Sequence, residues 1–250
     1  MQVYWTLVRR ELGTHFLSWT GYVVIAAVLF LMGCSFVQIV QAMNSETIER
    51  PLTEVFFSSQ YYWSILLLTT PLITMRCFAQ EKATGTYETL MTAPVGDRQV
   101  VLAKFTGAML FYMLMWLPLV ACVFVVRHYT RDPSGVDAGI LAATFLGIFL
   151  LGGVFLSLGC LASALTRSQM VAAMISFTGS FALWLLSFLS LIFPGESGWQ
   201  GRLFTHLGLI EHVQDFAHGV VDTRPVVFYL SVTFLFLFLT WKAVESRRWK

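Results

Sequence analysis

The sequence predicts an all-α membrane protein with six transmembrane helices. Hydrophobic residues make up 57% of the 250 residues, charged residues only 12%, and the mean hydropathy is +0.71. Soluble proteins carry about 25% charged residues, and one soluble core of this size could not bury so much apolar surface. The apolar residues also lie in long runs without strand-like alternation. Because backbone groups in lipid must bond within their own segment, we expect these runs to be helices.

Six apolar runs are long enough to cross a bilayer, which takes about 20 residues per helix. Proline interrupts the second and third runs, and the fourth is rich in small residues. The predicted spans are residues 16–40, 55–75, 105–126, 138–165, 170–193 and 226–241.

The distribution of basic residues predicts the orientation of these spans. Eleven of the 16 lysines and arginines lie before the first span, between the second and third, between the fourth and fifth, or after the sixth, and five lie in the other connections. Since basic residues favour the cytoplasmic side, we expect a multi-pass protein with both termini in the cytoplasm. The chain has no basic cluster with interleaved aromatic residues, so nucleic acid is not expected as a partner.

The first 17 residues have the pattern of a helix lying in the membrane interface. Val3, Leu7 and Val8 belong to an apolar stripe at helical spacing, and Arg9, Arg10 and Glu11 form the polar side. A loosely ordered leader is the alternative. We do not expect a cleaved signal peptide, because the apolar run that follows is too long and lacks a small-residue cleavage site.

The chain carries no sequence pattern for catalysis. It has neither a phosphate-binding P-loop nor a hydrolase signature, and we expect no enzyme activity and no cofactor. The four cysteines are scattered without metal-ligand spacing, so they are interpreted as packing residues. If the protein moves a substrate, the energy should come from another subunit.

A polar insert at residues 76–99 separates the second and third spans. Gly85 is expected to end the extension of the second span, and a short helix can follow at 86–91 before Pro94. Asp97 can cap the helix that leads into the third span. We expect the insert to lie across the membrane surface with Glu81 and Glu88 facing outward. An ordinary solvated loop is the alternative.

Three stretches of the chain resemble the permeases of type-2 ABC transporters, in particular GldF-like permeases of gliding motility. The strongest is EKATGTYETLMTAPVGDRQVVLAK, residues 81–104, which is similar to the family pattern E-[KR]-x-x-G-T-x-E-x-L-x-x-x-P-[VI]. The other two are SALTRSQMVAA at 163–173 and EHVQDFAHGVVDTRPVVFYLS at 211–231. With the six spans, the resemblance covers nearly the whole chain, 1–250, as one permease domain.

The resemblance implies a permease that pairs with a second copy or a homologous permease and binds two ABC ATP-binding subunits. It implies an exporter of the bacterial cytoplasmic (inner) membrane, with an extracytoplasmic auxiliary protein and membrane lipids as further partners. An assembly or signalling component of a motility or secretion complex is the alternative. The residues that would couple to the ATP-binding subunit are Glu81, Lys82, Gly85, Thr86, Glu88, Leu90, Pro94 and Arg167.

The segment at 194–225 is predicted to form an amphipathic helix on the outer face of the membrane. Glu211, Asp215, His218 and Asp222 would share one side of that helix. A metal site is one hypothesis for this side, and a solvated face is the simpler interpretation. We therefore assign no metal site.

Small residues in the fourth span predict close helix packing. Gly147, Gly153 and Gly159 recur at spacings that let neighbouring helix backbones approach one another. The sequence leaves open whether these neighbours belong to the same chain or to a second copy.

Overall fold

The computed structural model describes residues 2–45, 52–87, 95–130, 138–192 and 208–246. Within these residues all regular secondary structure is helical, and six helices are long and apolar enough to cross a membrane. The all-α fold with six spans is therefore confirmed. The helices are α1 (Gln2–Phe16), α2 (Trp19–Ser45), α3 (Leu52–Ser58), α4 (Gln60–Thr74), α5 (Ala79–Thr84), α6 (Asp97–Thr130), α7 (Ala138–Leu165), α8 (Gln169–Ile192), α9 (Leu209–Ala217) and α10 (Thr223–Ser246).

The second span begins later than predicted, because the helix is interrupted at Ser59. Ser59 has an extended backbone and its hydroxyl accepts a hydrogen bond from the backbone N–H of Tyr62. Serine at this position satisfies a donor that a new helix would leave unpaired. The predicted span at 55–75 is thus divided into α3 and α4, and the stretch long and apolar enough to cross a membrane begins at Gln60.

Helix α7 is the centre of the bundle and packs against α4, α6, α8, α9 and α10. Its glycines form much of this contact surface. A Cβ on Gly147 would lie 3.1 Å from the Phe216 side chain on α9, and one on Gly159 would lie 2.1 Å from the Thr74 hydroxyl on α4. Both neighbours belong to the same chain.

The polar ends of the helices gather at the two ends of the bundle. At one end, α5 lies beside the C-terminus of α7, and α1 packs along α6. At the other end, α9 packs on α3 and α7, and the Thr53 hydroxyl donates to the carbonyl of Ala217 at 2.9 Å. Gly219, with φ of +82°, turns the chain there against Ile140.

The outer faces of α2, α8 and α10 are apolar and largely uncovered. Phe30, Met174 and Phe234, one on each helix, are 70%, 67% and 72% exposed. An exposed apolar surface of this extent would be unstable in water and is suited to lipid or to another membrane subunit. With the six spans, it identifies the chain as a multi-pass membrane protein.

The glycine contacts of α7 predict unequal effects of two alanine substitutions. Gly159→Ala should lower the unfolding free energy by about 1–3 kcal/mol, because the buried Thr74 side chain cannot move away without disturbing the core. Gly153→Ala is the matched control, since its Cβ would meet its nearest neighbour, Thr233, at an ordinary 3.4 Å. Unfolding of the two variants in detergent, followed by circular dichroism, would test this. Equal stability would contradict the assigned packing.

Candidate functional site

A buried ion cluster joins three helices at the end of the bundle where α5 lies. The Lys104 ammonium on α6 donates to the Glu11 carboxylate on α1 and to the Glu81 carboxylate on α5, each at 2.9 Å. The Lys104 side chain is 3% exposed. Arg10 adds a weaker contact to Glu81 at 3.4 Å from a side chain that is 52% exposed. We call Glu11, Glu81 and Lys104 the ion cluster.

Helix α1 reaches the ion cluster through one buried face. Val8, Glu11 and His15, at i, i+3 and i+7, are its buried residues. Gly107, less than one turn beyond Lys104, leaves room for this approach, because a Cβ there would come within 2.8 Å of the Glu11 Cβ. The expectation that Glu11 belongs to the polar side of α1 is wrong. Lys104 supplies the partner that allows the carboxylate to be buried.

Glu81 is also placed differently from the sequence prediction. It was expected to face outward, whereas it is 9% exposed and turned toward α1 and α6. The outward orientation is wrong, since a carboxylate with a buried lysine beside it is more stable facing the lysine. One of its oxygens accepts from Lys104, and the other is buried without a hydrogen-bond partner. A direct contact between Glu81 and an ATP-binding subunit stays a prediction.

Ser163, near the end of α7, holds the turn between α4 and α5. Its hydroxyl oxygen accepts from the backbone N–H groups of Phe78 and Ala79 at 3.0 Å, and its O–H donates to the Met75 carbonyl with 3.3 Å between the two oxygens. These backbone groups stand at a helix start and a helix end, where partners inside the helix are missing. A single buried hydroxyl therefore joins the second span, α5 and α7.

Lys82 makes a further link between α5 and α7. Its ammonium donates to the carbonyl of Ala164, one of the last residues of α7. A cation at a helix C-terminus is stabilised by the carbonyl dipoles that end there. Arg167, in the short connection that follows, is exposed.

The remaining predicted coupling residues are exposed or lie outside the described part of the chain. Gly85 ends α5 with φ of +77°, as expected from its freedom to adopt the left-handed conformation. Thr86 is exposed, and its hydroxyl lies 2.9 Å from that of Thr84. Glu88, Leu90 and Pro94 lie in 88–94, outside the described residues.

The start of α6 is held by a contact that the sequence analysis did not identify. The Arg98 guanidinium lies over the Trp241 ring of α10, 4.0 Å from its centre. Arg98 is exposed, and a cation–π contact at an exposed site contributes about 0.5–1 kcal/mol. The pair links the C-terminal end of the 76–99 insert to α10. No local pattern indicates it, because the two residues are far apart in sequence.

A cavity of 740 Å³ opens beside the ion cluster, between α1, α5 and the start of α6. Arg10, Arg76, Thr14 and Ser18 are among its lining residues. His15 also lines it and stacks on Phe111 with ring centres 5.0 Å apart. Burial lowers the pKa of His15, and the nearby Glu11 carboxylate only partly opposes this, so the surroundings favour the uncharged imidazole.

The four residues considered for a metal site on the outer segment are not grouped as metal ligands. His218 ends α9 and contacts the Glu54 carboxylate of α3 at 3.2 Å, while its other ring nitrogen faces the carbonyl of Gln214 at 2.8 Å. Asp222 follows the turn at Gly219 and so leaves the helical face that it was expected to share with Glu211 and Asp215. Across the described ranges, no three His, Cys, Asp or Glu side chains are grouped to hold a metal ion.

Within the predicted 194–225 segment, the structure contains a helix at 209–217. Residues 193–207 lie outside the described part of the chain. The apolar face of this helix packs on α3, α7 and α8. His212 lies on that face, 3.2 Å from the Tyr229 hydroxyl. His212 was not predicted as a functional residue, because its partner Tyr229 lies on the next helix.

Residues 5–197 match the family model described as ABC-2 family transporter protein. This range is most of the chain and includes the ion cluster, the 76–99 insert and the first five spans. The chain belongs to the ABC-2 family of transporter proteins. A comparison with curated proteins gave no match. Membership makes the chain a permease subunit of an ABC transporter, a class that works with an ABC ATP-binding subunit.

Removing the cation of the ion cluster is expected to destabilise the protein strongly. Lys104→Met leaves the Glu11 and Glu81 carboxylates buried without their main partner, which should cost about 3–5 kcal/mol. Lys242→Met is the matched control, because its pair with Glu245 is solvent-exposed and should change stability by under about 1 kcal/mol. Thermal unfolding in detergent measures both.

A triple variant separates charge pairing from packing in the same experiment. Adding Glu11→Leu and Glu81→Leu to Lys104→Met removes both orphaned carboxylates, and stability should recover. If Lys104→Met alone is as stable as the unaltered protein, the ion cluster does not hold these helices together.

Proposed function

We propose that this chain is the membrane-spanning permease subunit of an ABC exporter in the bacterial cytoplasmic membrane. It would move its substrate with energy from ATP hydrolysed by a separate subunit, and would itself carry no ATPase activity. The observation that carries the proposal is the attachment of α5 to its neighbours by the ion cluster, by Ser163 and by Lys82. A family match over residues 5–197 supports it.

The attachment of α5 suggests how movement would reach the membrane. Glu81 joins α5 to α1 and α6, and Lys82 with Ser163 joins it to the end of α7. Displacing α5 alone would separate buried charges, at a cost of several kcal/mol. Moving the joined helices together avoids that cost. A force applied to the insert would therefore pass to the second, third and fourth spans.

The proposed contact with the ATP-binding subunit is the exposed part of the insert. Gly85 and Thr86 are exposed at the end of α5, and Arg167 is exposed at the neighbouring connection. Glu88, Leu90 and Pro94 lie outside the described residues and are included in the proposed contact on the family pattern alone. Glu81 and Lys82 would act from behind it by holding α5. The basic residues at this end of the bundle favour a cytoplasmic position, with both termini on the same side.

The proposed assembly contains two ATP-binding subunits and a second permease, either identical or homologous. The uncovered apolar faces of α8 and α10 offer surface for that second permease. An extracytoplasmic auxiliary protein would meet the opposite end of the bundle, near α9. A GldF-like role in motility or secretion is proposed from the motif at 81–104. The nearly uncharged spans favour a lipidic, bulky or weakly polar substrate.

A charge reversal in the insert tests the proposed contact. Glu88→Arg should abolish the ATPase stimulation that the permease gives its co-purified ATP-binding subunit. The reason is that an acidic residue of the family pattern becomes basic at the proposed contact. Asp215→Arg is the control: it makes the same charge change on an exposed residue of α9, and stimulation should persist. ATPase rates of both complexes in lipid nanodiscs provide the measurement, after equal membrane insertion has been verified.

The result also separates transport from the alternative role in assembly or signalling. A transporter should show ATPase stimulation together with substrate movement in proteoliposomes. Unchanged stimulation by Glu88→Arg would contradict the proposed surface. A stable complex whose ATPase rate does not respond to the permease would favour the assembly role.

A further inference from the structure

The charged cavity beside the ion cluster has an apolar groove next to it. The groove has a volume of 230 Å³ and lies between the end of α1, α2 and the middle of α6. It is lined almost entirely by apolar side chains, among them Val28, Leu29, Leu114 and Pro118. All of its lining residues lie at or inside the first and third spans, so the groove is at the depth of lipid chains.

The cavity and the groove share a wall of stacked rings. His15 lines the charged cavity and stacks on Phe111, which lines the groove. Phe16 also lines the groove and contacts Phe111 edge to face, with ring centres 5.1 Å apart. The two spaces thus meet where α1 ends, with a polar compartment on one side and an apolar compartment on the other.

Residues at the mouth of the cavity indicate where the membrane surface lies. Leu17, which lines the cavity, is 85% exposed, and Trp19, at the start of α2, is 89% exposed. Tryptophan is enriched at the level of lipid headgroups, where its ring is partly apolar and its N–H is hydrated. These two residues place the charged cavity at headgroup level and the groove beneath it.

The charge of the cavity favours an anionic headgroup. Arg10, Arg76 and Lys104 contribute three positive charges, and Glu11 and Glu81 contribute two negative charges. Lys104 is occupied by both carboxylates. Of the three cations that line the cavity, Arg76 is the one whose positive charge has no carboxylate partner among the described residues.

Arg76 has unused capacity to bind an anion. Its side chain is half-buried, it makes no ion pair among the described residues, and its Nε is buried without a hydrogen-bond partner. A guanidinium offers paired N–H groups that match the oxygens of a phosphate. Because Arg76 lines the cavity, a phosphate there would lie beside its guanidinium and balance the excess charge.

We propose that the cavity and the groove together bind one anionic phospholipid, with its phosphate at Arg76 and an acyl chain along Leu29 and Leu114. Such a lipid would connect α1 to the turn between α4 and α5, beside the ion cluster. The inference rests on the membrane-spanning fold and on these two spaces. It is independent of the direction of transport and of the ATP-binding subunit.

Lipid titration of the purified full chain tests the headgroup part of the proposal. Dioleoyl phosphatidylglycerol is added to the protein in a neutral detergent, and the bound fraction is read by native mass spectrometry. Arg76→Gln should weaken its binding about tenfold, as expected for the loss of one charge-assisted contact. Arg9→Gln, which removes an exposed charge of α1 away from the cavity, should leave the affinity within about twofold of the unaltered protein.

A second pair of variants tests the groove and does not depend on Arg76→Gln folding. Leu114→Trp fills the groove and should weaken phosphatidylglycerol binding, whereas Leu110→Trp, on the same helix but outside the groove, should not. Dioleoyl phosphatidylcholine should bind weakly to all variants, because its headgroup has no net charge.

Two results would overturn the proposal. The first is equal phosphatidylglycerol affinity of the unaltered protein and folded Arg76→Gln or Leu114→Trp. The second is displacement of the lipid by glycerol 3-phosphate at concentrations equal to the lipid's own, which would indicate a site for a soluble anion. These binding experiments contain no ATP-binding subunit. A negative result in them therefore leaves the proposed transport function unaffected.

Discussion

The buried ammonium of Lys104 constrains the whole end of the bundle that carries the insert. A charge that is 3% exposed must keep its partners, because an unpaired buried charge costs several kcal/mol. Glu11 and Glu81 are those partners, so α1, α5 and α6 cannot separate independently. Ser163 and Lys82 add α7 to the same unit through backbone hydrogen bonds.

Close contact around α7 supplies the complementary constraint within the membrane. Lipid gives no hydrophobic driving force between helices, so small residues that allow close approach become important. Gly147, Gly153 and Gly159 face three different helices of the same chain, α9, α10 and α4. The central helix is thereby surrounded by its own chain, and the free surfaces are left to α2, α8 and α10. These surfaces are where lipid and further subunits would bind.

Much of the fold was predictable because its signals are local. Apolar runs long enough to cross lipid mark the six spans, and Gly85 marks the end of α5 through its left-handed conformation. Ser59 was missed, although serine before an apolar run is a common helix start. The predicted orientations of Glu11 and Glu81 were wrong for a different reason. Each was judged from its own helix, whereas the partner that buries it lies on another.

The sequence by itself determined that the chain is helical, spans a membrane six times and carries a polar insert after its second span. These properties follow from hydropathy and from the backbone's need to bond within each segment. Only the tertiary structure decided which polar residues point inward. Lys104 and His15 are 23 or more residues from the partners that define their roles. Which charged groups surround these residues depends on distance and burial in three dimensions. No sequence period encodes those neighbours.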